Sequence, residues 1–282
     1  MSDTKKQLKD LPNDIYNLFD PDNDHVCSEE NLEAVANNFK DIFRQRLRKY
    51  TPPKTPLRFS SLGKPDRQLW FDSRPVEGGK EALTPKTYLK FLYGDVIEQM
   101  LLFLAKEAQH DVKEEQAEVE SQAVYGHIDA IIDGQVVDVK SASPFGFQKF
   151  KEGSVLSNDP FGYVAQLAGY ASILTPGKDA AWLAMDKVGG DICVSTLSAL
   201  VIKHYHPDER IDHLKKVLAS DAVPDRCYQD VPDGKSGNRK LDTGCSYCSH
   251  KHRCWPDLRT FIYSSGPRFL TQVSRVPDVL EV

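Results

Sequence analysis

The stretch GHIDAIIDGQVVDVKSAS, residues 126–143, constrains the fold more than any other part of the chain. Two apolar runs, 123–132 and 135–142, flank Asp133-Gly134, a dipeptide suited to the positive φ angles of a two-residue hairpin turn. The runs predict a pair of antiparallel strands. Charges interrupt both of them: Asp129 in the first, Asp138 and Lys140 in the second. Side chains alternate along a strand, so Asp138 and Lys140 share one face. The hairpin lets Asp129 lie across from them. A charge buried in an apolar strand needs a partner or a metal, so these three groups are expected to act together. A D-x-K alone is common by chance; linked through a turn to Gly126-His127-Ile128-Asp129, it is more specific.

The remaining pattern is mixed. Residues 1–56 read as a helical N-terminal layer. Ser28 before Glu29 and Glu30 predicts a capped helix start, and Leu32, Val35, Phe39, Ile42, Phe43 and Leu47 follow at helical spacing until Thr51-Pro52-Pro53. Residues 57–75 read as loop-rich, with Arg58, Lys64, Arg67 and Arg74 set among Phe59, Trp70 and Phe71. Such a set can grip a nucleic-acid strand by charge and stacking; the plainer reading is a solvated loop with aromatics in the core. Residues 85–108 predict a helix with Pro85 at its first position and an apolar face of Tyr88, Leu89, Leu92, Val96, Met100 and Phe103. Glu98 lies close to that face, among Ile97, Leu101 and Leu102. A polar alternating strand at 111–120, a helix at about 160–174, a hairpin over 180–198 turning at Gly189-Gly190 and a helix at about 207–219 complete the pattern. This order predicts an α/β (α+β) layer, a mixed sheet flanked by helices.

Glu98, Asp129 and Asp138 together make three hard oxygen ligands, which suit Mg²⁺ or Mn²⁺. Such a metal polarises a phosphodiester and lowers the pKa of a bound water, while Lys140 can orient that water or stabilise charge on the phosphate. His127 would share a face with Asp129, as a DNA contact or as a satisfied polar histidine. With 36 Lys+Arg against 41 Asp+Glu, a strongly basic coat is excluded, though a local basic groove is not. No apolar stretch approaches a membrane span. The opening Met1-Ser2-Asp3-Thr4-Lys5-Lys6 has no apolar signal core, so a cytoplasmic location is expected. No phosphate-binding G-x-x-x-x-G-K-[ST] motif is present, so ATP is not implied.

The set Glu98, Gly126-x-x-Asp129, Asp138-x-Lys140 and Gln166-x-x-x-Tyr170 resembles the PD-(D/E)XK nuclease superfamily. It is most similar to the RecB-type branch, which includes CRISPR-adaptation nucleases and many phage exonucleases. The resemblance spans residues from about 58 to 258. It implies a restriction-endonuclease-like core over 57–222, with metal held by Glu98, Asp129 and Asp138. Catalysis would involve these three with Lys140, Gln166 and Tyr170. Gln166 and Tyr170, four apart on a helix, share a face and can hold a DNA phosphate or orient Lys140.

Six cysteines stand at 27, 193, 227, 245, 248 and 254. Three crowd into ten residues of the tail 223–282, and in a reducing compartment such a cluster reads as a metal site. The spacing Cys245-x₂-Cys248-x₅-Cys254 resembles the C-terminal signature of iron–sulfur members of the same branch. In those, a fourth cysteine lies upstream of the core, in a segment like 60–70 here, which has none. Cys227 is the nearest replacement, and Cys27 is the rival. Cys193 reads as a small core residue. Four thiolates hold a [4Fe–4S] cluster or zinc, and His250 or His252 could also serve zinc. The resemblance therefore implies a stand-alone metal-dependent DNA exonuclease acting on linear or single-stranded ends, as in phage DNA replication or recombination beside a partner protein. If phage-encoded, it works in the cytoplasm of a bacterial host. A structure-selective endonuclease and a catalytically silent DNA-binding subunit are the alternatives.

Overall fold

The computed structural model describes residues 6–48 and 57–282. The expected helix stop at Thr51-Pro52-Pro53 and the segment 1–5 lie outside the described residues. In chain order the elements are α1 (Leu11–Asn17), α2 (Glu29–Arg46), α3 (Asp66–Ser73), α4 (Pro85–Glu107), β1 (Val112–Lys113), β2 (Glu118–Ser121), β3 (Val124–His127), β4 (Ala130–Ile132), β5 (Gln135–Ala142), α5 (Pro144–Lys151) and α6 (Tyr163–Leu174). There follow β6 (Ala180–Asp186), β7 (Ile192–Leu197), α7 (Ala199–Lys203), α8 (Pro207–Ala219), β8 (Val231–Pro232), β9 (Arg239–Lys240), α9 (Thr243–Ser246), α10 (Lys251–Cys254), β10 (Arg259–Tyr263), β11 (Gly266–Gln272) and β12 (Leu280–Glu281). The build is mixed α/β. Among the described residues no helix is long and apolar enough to cross a membrane.

The chain forms two compact units: Met1–Lys54 with Arg58–Gly63 and Thr84–Ile211, and Thr55–Leu57 with Lys64–Leu83 and Asp212–Val282. This division departs from boundaries after 56 and 222. Segment 64–83 belongs with the cysteine-bearing unit, because Trp70 Nε1 and Arg74 Nη2 both donate to the carbonyl of Ser220. The N-terminal helices belong with the central sheet, whose core includes Leu11 and Ile15 of α1.

In the first unit the sheet order is β1-β4-β5-β6-β7. The β5–β6 pair is parallel and the others are antiparallel. The expected hairpin forms with Ala130 opposite Val137 and Ile132 opposite Gln135. Its turn needs positive φ at both central residues, and Asp133 and Gly134 supply 51° and 82°. The apolar run 123–132 is not one strand, however. It breaks at Ile128-Asp129 into β3 and β4, and β3 pairs with β2 in a separate two-stranded sheet. The run 111–120 likewise splits into β1 and β2, with Glu114 and Gln116 at positive φ between them.

One core gathers Leu11 and Ile15 of α1, Leu101, Leu102 and Ala105 of α4, and Val137, Val139, Ala181 and Leu183 of β5 and β6. Alternation sends Val137 and Val139 into this core and leaves Asp138 and Lys140 for the opposite face. The α4 start is capped by the Thr84 hydroxyl, which accepts from the Thr87 amide. Its buried stripe differs from the expected face: Leu101 and Leu102 are fully buried while Tyr88 and Leu89 are exposed. Ser28 caps α2 as expected, yet α2 buries no residue completely. Segment 57–75 is not a loop, since it contains α3, and Phe59, Trp70 and Phe71 are all buried.

The second unit carries an antiparallel sheet of order β12-β10-β11-β9-β8. Its buried residues include Leu69, Trp70, Phe71, Leu241, Phe261 and Leu270.

Candidate functional site

Strand β5 is buried along most of its length, so its polar residues stand in low dielectric. Asp138 and Lys140 point the same way, with Lys140 Nζ 2.5 Å from Asp138 Oδ2. The break after β3 turns the Asp129 carboxylate inward, where its Oδ2 accepts from the Val139 amide at 2.6 Å. Glu98 arrives from α4, one turn before Leu101 and Leu102, and its Oε1 accepts from Gln116 Nε2 at 2.6 Å. From α6, Gln166 Nε2 reaches Asp138 Oδ1 at 3.4 Å. The structure therefore brings Glu98, Asp129, Asp138, Lys140 and Gln166 together.

The electrostatics follow from this crowding. Burial, then the charge of Asp95, pushes the Glu98 carboxyl up to about 7. Burial, then Asp138 and Glu98, pushes Asp129 well above the usual carboxylate range. Burial pulls the Lys140 ammonium down, but the charges of Asp138 and Asp129 outweigh it and hold it above its ordinary value. Three carboxylates thus share one cation. Asp138 Oδ2 is buried, and the Lys140 ammonium is its close partner. Hard oxygen donors with surplus negative charge fit a divalent cation of the Mg²⁺ or Mn²⁺ kind. The carboxylates stand open rather than clenched: their oxygens do not all come within 4.8 Å of one another.

One residue differs from its expected role. Tyr170 is buried and stacks on Phe59 at 5.0 Å between ring centroids. Its phenol meets the backbone of His127 and is pushed up by burial and by Asp138 and Asp129. It is a wall of the site rather than a hand for phosphate. The side chain against Lys140 is instead Tyr163, whose ring centroid lies 4.9 Å from Nζ. Sequence reasoning missed Tyr163, although a signal existed: residues 163, 166 and 170 recur at i, i+3 and i+7 on one helix face. Gln116, the partner of Glu98, gave no such signal. His127 is exposed and faces Glu118 across the β2–β3 pair at 3.8 Å.

The basic set of 57–75 is largely committed elsewhere. Arg67 Nε donates to Cys254 Sγ at 3.1 Å, its Nη1 donates to the carbonyl of Pro224 at 2.5 Å, and its guanidinium covers Phe71. Arg74 stacks on Trp70 at 4.3 Å. The Lys64 charge acts on Asp72. The Arg58 charge acts on the Tyr170 phenol, in the first unit.

In the second unit Cys227, Cys245, Cys248 and Cys254 line one cavity of about 30 Å³, together with Arg67, Gln68 and Phe71 of α3. Cys227 is the distant member, eighteen residues before Cys245. Its sulfur takes hydrogen bonds from the amides of Arg67 and Gln68, in the first turn of α3. Burial, then the charges of Cys254, Cys248 and Cys227, would push the Cys245 thiol up to about 12. Such thiols ionise together only around a cation. Among the described residues no three of these sulfurs lie within 4.8 Å of one another. Tetrahedral zinc with bonds of about 2.3 Å needs sulfurs about 3.8 Å apart. His250 is engaged by Asp72 at 3.0 Å and by the Gly79 carbonyl, and His252 by Glu81. Cys193 sits in β7 opposite Ala184, half-buried. Cys27 belongs to the first unit, beside His25 and Glu107.

No protein-family model matches the chain, and no curated protein matches it. Among solved structures the chain is similar to one described as the crystal structure of SSO0001. The two share 14% identity over 76% of this chain and 93% of that one, with a TM-score of 0.43.

Proposed function

We propose that the chain is a divalent-metal-dependent deoxyribonuclease of the PD-(D/E)XK kind, an exonuclease that hydrolyses phosphodiester bonds at DNA ends. The observation that carries this reading is the buried cluster of Glu98, Asp129, Asp138 and Lys140, whose charges act on one another, with Lys140 paired to Asp138. A purely structural ion pair would need one carboxylate for Lys140; here there are three. Glu98, Asp129 and Asp138 would hold Mg²⁺ or Mn²⁺, which when bound polarises the phosphodiester and acidifies a water. Lys140 keeps its proton on Nζ and places a fixed positive charge where charge develops on the phosphate. Tyr163 covers the ammonium and limits its hydration. Gln166 orients Asp138 through its amide.

For the second unit we propose a structural [4Fe–4S] cluster on Cys227, Cys245, Cys248 and Cys254, with zinc as the alternative. The C-x₂-C-x₅-C spacing of Cys245, Cys248 and Cys254 and its resemblance to iron–sulfur members of the branch favour the cluster. Arg67 and the α3 amides supply N–H donors to the sulfurs.

The test is digestion of end-labelled linear DNA beside closed circular DNA, with and without Mg²⁺. Mg²⁺-dependent loss of the linear form alone is expected. Cutting of the circle makes the enzyme an endonuclease. Binding of DNA without cleavage makes it a silent DNA-binding subunit. Neither binding nor cleavage ends the reading.

A further inference from the structure

In the first unit, the donor atoms of His25, Cys27 and Glu107 all lie within 4.8 Å of one another. His25 and Cys27 belong to the segment between α1 and α2, and Glu107 is the last residue of α4. Val26, between the two donors, is 85% exposed. The chain thus spends an apolar side chain on solvent while both flanking residues reach Glu107. His25 Nε2 stands 2.9 Å from Glu107 Oε2. Two ligands at about 2.0–2.1 Å from a tetrahedral cation are separated by about 3.3–3.4 Å, so the pair as it stands is a hydrogen bond that opens by about half an ångström to admit an ion. A hydrogen bond accounts for the His25–Glu107 pair but not for the thiol beside it.

Glu107 is buried and already oriented. Asn31 Nδ2 donates to its Oε1 at 2.6 Å, and the Ser28 amide donates to its Oε2 at 3.1 Å. Outer hydrogen bonds of this kind fix a ligating carboxylate and tune its affinity. The donor set is one imidazole nitrogen, one thiol and one carboxylate oxygen. That mixture matches a borderline-soft ion and neither the all-oxygen preference of Mg²⁺ nor an all-sulfur cluster.

We propose that His25, Cys27 and Glu107 bind a Zn²⁺ ion, with water in the fourth position, as a clip joining the segment before α2 to the end of α4. The site is separate from the three-carboxylate site and from the cysteine cavity, and it does not depend on the nuclease reading. The experiment uses the full chain and Zn²⁺ as the probe, with iodoacetamide labelling of each cysteine followed by peptide mass spectrometry. Added Zn²⁺ should slow alkylation of Cys27 by about an order of magnitude, since a metal-bound thiolate is withdrawn from the reagent. His25→Ala should abolish that protection. Zinc content should fall by one equivalent in Cys27→Ser, an exposed position where the change costs little packing, while the metal content of the tail stays unchanged. Equal alkylation of Cys27 with and without Zn²⁺ overturns the proposal. So does protection that survives His25→Ala, or a Cys27→Ser protein that binds as much zinc as the parent.

Discussion

Lys140 and Asp138 are the residues on which the proposed chemistry turns, and both are tightly framed. Lys140 has one near carboxylate, one aromatic cover and little exposure. Substituting Arg keeps the charge but replaces a compact ammonium with a wider planar fork, which does not fit between Asp138 and Tyr163. Lys140→Arg is therefore expected to lower the cleavage rate by roughly 100-fold while metal binding persists. Isothermal titration with Mn²⁺ beside single-turnover cleavage checks both halves, and an unchanged rate would reduce Lys140 to a bystander charge. Asp138→Ala removes the partner of Lys140 and a proposed metal ligand together. Cleavage should vanish at any Mg²⁺ concentration, with DNA affinity in Ca²⁺ largely kept; full activity at limiting Mg²⁺ would discard the assigned site.

At the scale of elements, β3 approaches α6 so closely that only glycine fits at 126. A methyl group there would meet Phe59 Cβ at 2.6 Å and the Tyr170 hydroxyl. Overpacking of this kind costs about 1–3 kcal/mol, so Gly126→Ala should lower stability by that amount in urea unfolding. A neutral outcome would mean that the β3 approach is loose. On α3, burial opposes ionisation of Asp72, but His250 and Lys80 bond the carboxylate and hold it down to about 2. The folded value lies below the unfolded value of 3.8. The protein therefore gains stability from Asp72 above the unfolded value, and loses it as pH falls through about 2. Thermal melts of parent and Asp72→Asn should differ clearly at neutral pH and converge at the acid end. A gap that stays constant across the acid range would show that the loss comes from packing.

Across the whole molecule, stability and metal content are expected to be linked through the second unit. Metal binding to thiolates contributes folding free energy directly. Serine at Cys245, Cys248 or Cys254 should lower bound metal and the unfolding midpoint together. The deciding variant is Cys227→Ser. It should match the other three, because Cys227 shares their cavity. If Cys227→Ser retains full metal content and stability, the centre has a different fourth ligand. Anaerobic purification followed by elemental analysis distinguishes iron from zinc.

Much of the site is legible along the chain because it rests on local geometry. Alternation of side chains puts Asp138 and Lys140 on one face, Asp133-Gly134 turns the hairpin, and the 3.6-residue period sets Glu98 beside Leu101 and Leu102. Those relations hold within one element or one tight turn. What the tertiary structure decided is every relation that spans elements. It buried Tyr170, brought Tyr163 to Lys140, tied Arg67 to Cys254, exposed Tyr88 and Leu89, and carried Cys227 to the α3 amides. It also broke the 123–132 run at Asp129, which alternation alone would have continued. Periodicity reports which way a side chain leaves its own backbone; which neighbour it then meets depends on the packing of distant segments, and that is set by the burial of the whole core.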